Sequence, residues 1–265
     1  MFASEAWLRL NLLSVWRRPV RVWDQSFAPI SLDRLVYLFF HRLGWMGRSE
    51  RTFLEQHVQA GMCVVDIGAN LGLYTLLLSR LVGPTGCVIG IEPDPELFGA
   101  LQANCRENRA SNVELHNLAA GSERGRSVLH RSGINAGDNR LARHESAVSR
   151  SVEVNIATLD EIVRGRRVDF IKMDVQGWEG EVIAGMQQVL TNPELQICFE
   201  YWPYGLRNAG HDPESILSVL GHEGFQIYPL FGELPVAGPE TRDSAWVAPR
   251  GKNFTNLYAV RHKPV

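Results

Sequence analysis

A set of carboxylates and one glycine-bearing turn carry the chemistry that this sequence offers. The run Asp66-Ile67-Gly68-Ala69-Asn70-Leu71-Gly72 follows a short β-branched stretch, Glu92 ends the next apolar run 20 residues beyond Gly72, and Asp174 and Glu200 close two later runs. A glycine turn between strand and helix lets backbone approach a ligand and aims helix N–H groups at it. An acidic side chain at the tip of the second strand can take both hydroxyls of a ribose. The spacing also excludes something. A dinucleotide fingerprint requires G-x-G-x-x-G, whereas Gly68 and Gly72 are separated by Ala69-Asn70-Leu71, so no pyrophosphate cradle is evident. A nucleoside with a zwitterionic amino-acid tail fits better, and S-adenosylmethionine has that form. The turn N–H groups face its carboxylate, and Asp66 can hold its ammonium directly or through water.

Lys172 and Asp174 lie on the same side of a strand because strand side chains alternate, with Asp174 last, at the rim where ligands bind. Asp174 is therefore read as a carboxylate that orients cofactor and acceptor and can draw a proton from an acceptor hydroxyl; an ion pair with Lys172 or a cap for the next helix is the plainer reading. Glu200 is the second candidate base. With Asp174 it could instead hold a divalent metal through hard oxygen ligands, although two carboxylates make a weak metal signal and none is expected. His211 is a further candidate catalytic base, whereas His116, His130 and His144 read as surface or packing residues. The aromatic run Tyr201-Trp202-Pro203-Tyr204 could stack on a sugar, and the polar loop Gly133 to Arg140 is the other expected acceptor contact.

The elements that must position these residues follow from periodicity. From Gly61 onward, apolar strand runs alternate with helical patterns: strands at Cys63–Ile67, Cys87–Ile91, Val113–Leu118, Val152–Ile156, Val168–Met173 and Leu195–Phe199, and helices at Leu71–Leu81, Pro95–Glu107 and Trp178–Leu190. Asp94-Pro95 reads as an N-cap and first helical residue, and Thr158-Leu159-Asp160-Glu161 as a capping box. Ser122–Ser151 reads as polar connection and Tyr201–His211 as loop. Asp212-Pro213 opens a further helix, and Phe225–Phe231 and Leu257–Val260 are the last strands. Near-continuous apolar strands between helices imply an α/β fold with a doubly wound, mostly parallel sheet. In such a sheet ligands sit beyond the carboxyl ends of the strands, which here carry Asp66–Asn70, Glu92, Leu118–Ala120, Asp174 and Glu200.

Residues 1–60 differ in character and are expected to be an N-terminal helical extension, capping a cofactor-binding domain at 61–265. Residues 6–22 mix Trp7, Trp16 and leucines with Arg9, Arg17, Arg18 and Arg21, which suits a helix packed on its own domain or on a second subunit, a homodimer, and alternatively a peripheral membrane contact. Helical patterns at Leu32–Leu43 and Ser49–Gln59 could cover the cofactor edge. The net charge of −2 over 265 residues argues against nucleic acid as a partner. Cys63, Cys87, Cys105 and Cys198 show no C-x-x-C spacing and are expected to be buried reduced thiols, in keeping with a cytoplasmic setting.

Four segments carry a more specific likeness. Asp66 to Thr75, Ile91-Glu92-Pro93, Asn117-Leu118-Ala119 and Ile171-Lys172-Met173-Asp174-Val175-Gln176-Gly177-Trp178-Glu179 resemble, in order, the FkbM family of S-adenosylmethionine-dependent methyltransferases. The resemblance implies a Rossmann-like, seven-stranded class I fold and O-methylation of a hydroxyl, commonly on saccharides or polyketide-type secondary metabolites. It implies cofactor contacts at Asp66, Gly68, Asn70, Gly72, Tyr74 and Thr75, a ribose acid at Glu92 beside Pro93, an adenine edge at Asn117, Leu118 and Ala119, and a further contact at Asp174. Trp178 departs from the pattern, which more often has a small residue there. The expected partner is a hydroxylated small-molecule or saccharide acceptor. The reading from another class is a non-catalytic nucleoside-binding scaffold that docks a membrane or protein through its N-terminal arm.

Overall fold

Both faces of the central strands are apolar, and both are covered. Val65, Ile89, Ile171 and Ile197 stand side by side on one face, and Val64, Val88, Phe170 and Cys198 on the other, all of them buried. Strands of this kind are stable only between two layers of helix. The computed structural model describes residues 19–28, 31–132, 141, 148–230 and 253–261.

The main sheet has seven strands in the order β11-β12-β10-β9-β3-β4-β5: β3 (Cys63–Ile67), β4 (Cys87–Ile91), β5 (Val113–His116), β9 (Phe170–Met173), β10 (Gln196–Tyr201), β11 (Gln226–Pro229) and β12 (Thr255–Val260). β12 runs against both neighbours, so the sheet is mixed, whereas β10, β9, β3, β4 and β5 pair in parallel. The order turns back at β3, whose neighbours are β9 and β4; the carboxyl ends of these three strands frame the crevice where a ligand would lie.

Three features depart from the sequence reading. Ser122–Ser151 is not simply a connection, because β7 (Gly125–Ser132) pairs antiparallel with β8 (Val148–Ala157), and β8 pairs with β6 (Ala119–Ala120) to make a separate three-stranded sheet. The apolar half of that hairpin is thin: Leu129 and Val154 are buried while Val128 is exposed. Tyr201–His211 is not all loop, since Pro203 opens helix α7 (Pro203–Asn208). The helix expected over Trp178–Leu190 is shorter, α6 (Glu179–Ala184) followed by a 3-10 turn at Val189–Thr191, because Gly185 is pressed against the backbone of Gly121.

The segment before residue 61 is not purely helical either. β1 (Val20–Val22) and β2 (Gln25–Phe27) form a hairpin ahead of α1 (Leu32–Arg42) and α2 (Arg48–His57). Residues 6–18 of the basic amphipathic stretch, the loop Gly133 to Arg140, His144 and Phe231 lie outside the described residues. The hairpin is fastened to α4 (Pro95–Glu107) by two asparagines. Asn108 Oδ1 accepts the Ser26 N–H at 2.8 Å, and Asn104 Oδ1 accepts the Ala28 N–H at 3.0 Å while its Nδ2 donates to the Leu71 carbonyl at 2.8 Å. Asn104 thus links the N-terminal hairpin to the glycine turn. The remaining helices are α3 (Leu73–Val82), α5 (Leu159–Val163), which opens on the expected capping box at Thr158, and α8 (Pro213–His222), capped by Asp212.

The cysteine expectation needs correcting. Cys63 and Cys87 sit directly opposite each other at the first positions of the paired strands β3 and β4, with Cα atoms 4.6 Å apart, and are joined as a disulfide; Cys105 and Cys198 are free and buried. Adjacent strands bring two Cβ atoms within disulfide reach at such a position. No helix among the described residues is long and apolar enough to cross a membrane.

Candidate active site

The crevice at the strand ends opens into a cavity of about 460 Å³. Its floor is the turn after β3. Gly68 has φ +83° and a Cβ there would overlap the Asp174 carbonyl oxygen, so only glycine fits. The Gly68 and Ala69 N–H groups both donate to the Ile91 carbonyl at 3.0 Å, which ties the turn to β4. Asn70 is also left-handed, at φ +54°, its Oδ1 accepting the Leu71 N–H at 2.8 Å.

Glu92 faces this turn. Its Oε2 accepts the Asn70 N–H at 2.8 Å and its Oε1 the Asp94 N–H at 2.9 Å; burial nevertheless pushes its carboxyl up to about 7. Each carboxylate oxygen accepts more than one hydrogen bond, so both retain capacity for a hydroxyl pair. Asp94 caps α4 and is clamped by Arg131 of β7, at 2.5 and 2.7 Å, so the side sheet secures the helix start beside Glu92. Asn117 braces the same corner, its Nδ2 donating to the Glu92 and Pro93 carbonyls at 2.9 and 3.1 Å. These residues fit a nucleoside cofactor. Gly68 and Asn70 give a backbone cradle without side-chain obstruction, Glu92 an acceptor pair, and Pro93, Leu97 and Ala119 apolar wall.

Across the cavity, Lys172 makes a buried hub. Its Nζ lies 3.6 Å from Asp174 Oδ2, 4.0 Å from Asp66 Oδ1 and 4.6 Å from the centre of the Tyr74 ring. Burial alone would lower the ammonium's pKa, but Asp174, Asp66 and Tyr37 outweigh it and hold it above its ordinary value. Beside it, Gln176 sits at φ +56° and its Nε2 donates to both Asp174 Oδ1, at 2.8 Å, and Glu200 Oε2, at 3.0 Å. One amide therefore spans the two candidate carboxylates. Among the described residues no group of three or more His, Cys, Asp or Glu stands ready to hold a metal.

The cavity lining includes Gly68, Asn70, Tyr74, Glu92, Pro93, Ala119, Asp174 and Glu200 of the residues singled out in the sequence. Others stand behind it. Asp66 is fully buried, with Oδ2 accepting the Thr75 hydroxyl at 2.6 Å, and burial raises its pKa; Thr75 is buried with it. Gly72, at φ +89°, packs on Leu101, and Leu118 packs on the core. His211 is away from the lining, with Nε2 3.3 Å from Glu181 Oε1 and its ring edge-on to Trp178. His116 contacts Glu114 at 2.8 Å. Of the aromatic run, Trp202 lines the cavity while Tyr201 is buried in the core.

Sequence reasoning did not single out the side chains of the roof. Tyr37 and His41 of α1, Met46 and Gly47 beyond it, and Glu50 and Leu54 of α2 all line the cavity. Burial pushes the Tyr37 hydroxyl up to about 12 and lowers the His41 imidazole. Both expected helices are present and lend side chains to the cavity, but those side chains carried no distinguishing sequence signal beyond a helical pattern.

A glycine cradle and an acidic strand tip at the switch point of a mostly parallel sheet are the features of a nucleoside-binding α/β domain. Residues 66–227 match the family described as Methyltransferase FkbM domain, and the chain belongs to that family of S-adenosylmethionine-dependent methyltransferases. It is 26% identical over 160 residues to Methyltransferase 1 of Beauveria bassiana, covering 51% of this chain and 64% of that protein, just under two thirds of its length. It is 24% identical over 242 residues to Methyltransferase sdnD of Sordaria araneosa, covering 75% and 88%. Among solved structures, methyltransferase FkbM from Methylobacillus flagellatus KT is similar with a TM-score of 0.47 at 18% identity, covering 85% of this chain and 53% of that one.

Proposed function

We propose that this protein transfers a methyl group from S-adenosylmethionine to a hydroxyl of a saccharide or secondary metabolite. One observation carries the reading: a rim carboxylate, Asp174, opens into the same cavity as Glu92 and the bare-backbone turn, and is held by Gln176 and Lys172.

Gly68, Asn70, Glu92, Pro93 and Ala119 are the residues that would hold the cofactor, with Asp66 and Thr75 bracing the turn from behind. When bound, the cofactor supplies a methyl group already activated on a sulfonium, so alignment rather than covalent catalysis provides much of the rate. Gln176 fixes Asp174 Oδ1, leaving Oδ2 to accept the proton of an acceptor hydroxyl. The Lys172 ammonium stands 3.6 Å from Oδ2 and helps to hold the carboxylate in place at the rim. Glu200, on the other arm of the Gln176 amide, is the second acceptor for the hydroxyl. His211, paired with Glu181 outside the cavity lining, is better read as support for Trp178.

The test is a panel of hydroxylated acceptors incubated with isotopically labelled methyl donor, with the methylated atom located by mass spectrometry and NMR. Label on a carbon-bound oxygen supports the reading; label on nitrogen or carbon removes it. Tight S-adenosylhomocysteine binding without turnover on any acceptor would favour the scaffold alternative.

A further inference from the structure

Helix α1 turns an apolar face outward that the described residues leave uncovered. Arg34, Leu38 and His41 point into the fold and are buried. On the opposite side Leu32, Val36, Phe39, Phe40 and Leu43 recur at helical spacing and are exposed, and Trp45 follows them 72% exposed with its ring 5.6 Å from that of Phe40. An exposed contiguous apolar patch of this kind marks an interaction surface.

Two further observations say what covers it. The first is charge. Residues 1–51 carry eight arginines against four acidic residues, whereas the whole chain has a net charge of −2. Arg42 and Arg48 are exposed beside the patch. Arginine alternating with tryptophan and phenylalanine suits the boundary of an anionic bilayer, where guanidinium groups meet lipid phosphates and the rings sit among the headgroups. The second is continuity with the cavity. Met46, next to Trp45, is exposed and also lines the cavity, as does Phe254, 59% exposed. The apolar face therefore runs into the mouth of the candidate active site instead of standing apart from it.

We propose that the α1 face docks on an anionic membrane surface and turns the cavity mouth toward it, so that the acceptor hydroxyl belongs to the head of a membrane-resident amphiphile. The substrate half of this statement rests on the methyl-transfer reading above; the docking half does not. Seven exposed apolar side chains, Met46 included, enter the interface, and the arginines add an attraction that salt screens.

The experiment uses the full chain with vesicles of phosphatidylcholine alone and of phosphatidylcholine with phosphatidylglycerol, read by co-sedimentation at low and high salt. The wild type is expected to sediment with the anionic vesicles and to be released by salt, and the double variant Phe39→Ser/Trp45→Ser to bind about tenfold or more weakly, since two large apolar anchors are lost. Calorimetry with S-adenosylhomocysteine reports whether the double variant remains folded with its cofactor crevice intact. Absence of wild-type binding, or binding that the double variant leaves unchanged, overturns the proposal. A dimer in analytical ultracentrifugation that the double variant converts to monomer also overturns it, by assigning the face to a second copy. Labelled methyl from the donor is expected in the chloroform-soluble fraction of a lipid extract. If vesicles bind but only water-soluble acceptors are labelled, the substrate half falls while O-methylation stands.

Discussion

The backbone N–H of Asn70 donates to the Glu92 carboxylate at 2.8 Å, joining two motifs that lie 22 residues apart in the chain. This bond makes the glycine turn and the acidic strand tip one unit; it favours the ionised carboxylate, but burial outweighs it and raises the Glu92 carboxyl to about 7.

The titration gives a signed expectation. Ribose hydroxyls donate to the ionised form, and a proton on Glu92 competes with them. S-adenosylhomocysteine affinity should therefore fall as pH drops below about 7, approaching tenfold per unit well below it. Glu92→Gln should bind more weakly near pH 8 and show a flatter profile. Calorimetry from pH 5.5 to 8.5 measures both, and an affinity independent of pH in the wild type would detach Glu92 from the ribose.

Asp174→Asn keeps the side-chain shape and removes the proton acceptor. We expect kcat to fall by roughly 10²- to 10⁴-fold with cofactor affinity nearly unchanged. A comparable loss in cofactor affinity, read by calorimetry beside steady-state kinetics, would make Asp174 a binding residue instead.

The Gln176 amide already bonds to both Asp174 and Glu200, so those carboxylates are organised by a neutral donor. Turnover should stay within about twofold when Mg²⁺ is omitted and chelator added, because a cation there would have to displace that amide. Chelator-sensitive turnover restored by Mg²⁺ alone would reverse this assignment.

Reducing the Cys63–Cys87 disulfide opens a loop of sequence separation 24. The entropy of that closure is worth about 3 kcal/mol, so a reductant, or Cys63→Ser with Cys87→Ser, should lower Tm by several degrees. Equal melting curves with and without reductant would show that the bond contributes nothing to folding.

The parts of the fold legible in the sequence are those written locally. The apolar runs of β3, β4, β9 and β10 are continuous because both sheet faces are buried, and Asp94-Pro95 and Thr158 announce their helices through the caps they make. What was not legible depends on partners distant in the chain. The Cys63–Cys87 bond requires the register of β3 against β4, and β7 hides behind a polar alternation whose buried members are few. Gln176 gave no sign of bridging two carboxylates, since its reach depends on a left-handed backbone beside Gly177 and on the β9–β10 pairing. Tyr37 and His41 read as ordinary helix residues until α1 is laid over the strand ends.

The roof of the cavity comes from residues 37–54, ahead of every strand of the main sheet, while its floor comes from turns within that sheet. Floor and roof can therefore diverge at different speeds. Drift in one early stretch of chain would reshape what is admitted without touching the donor's cradle, and a lineage could acquire new specificities while inheriting its chemistry intact.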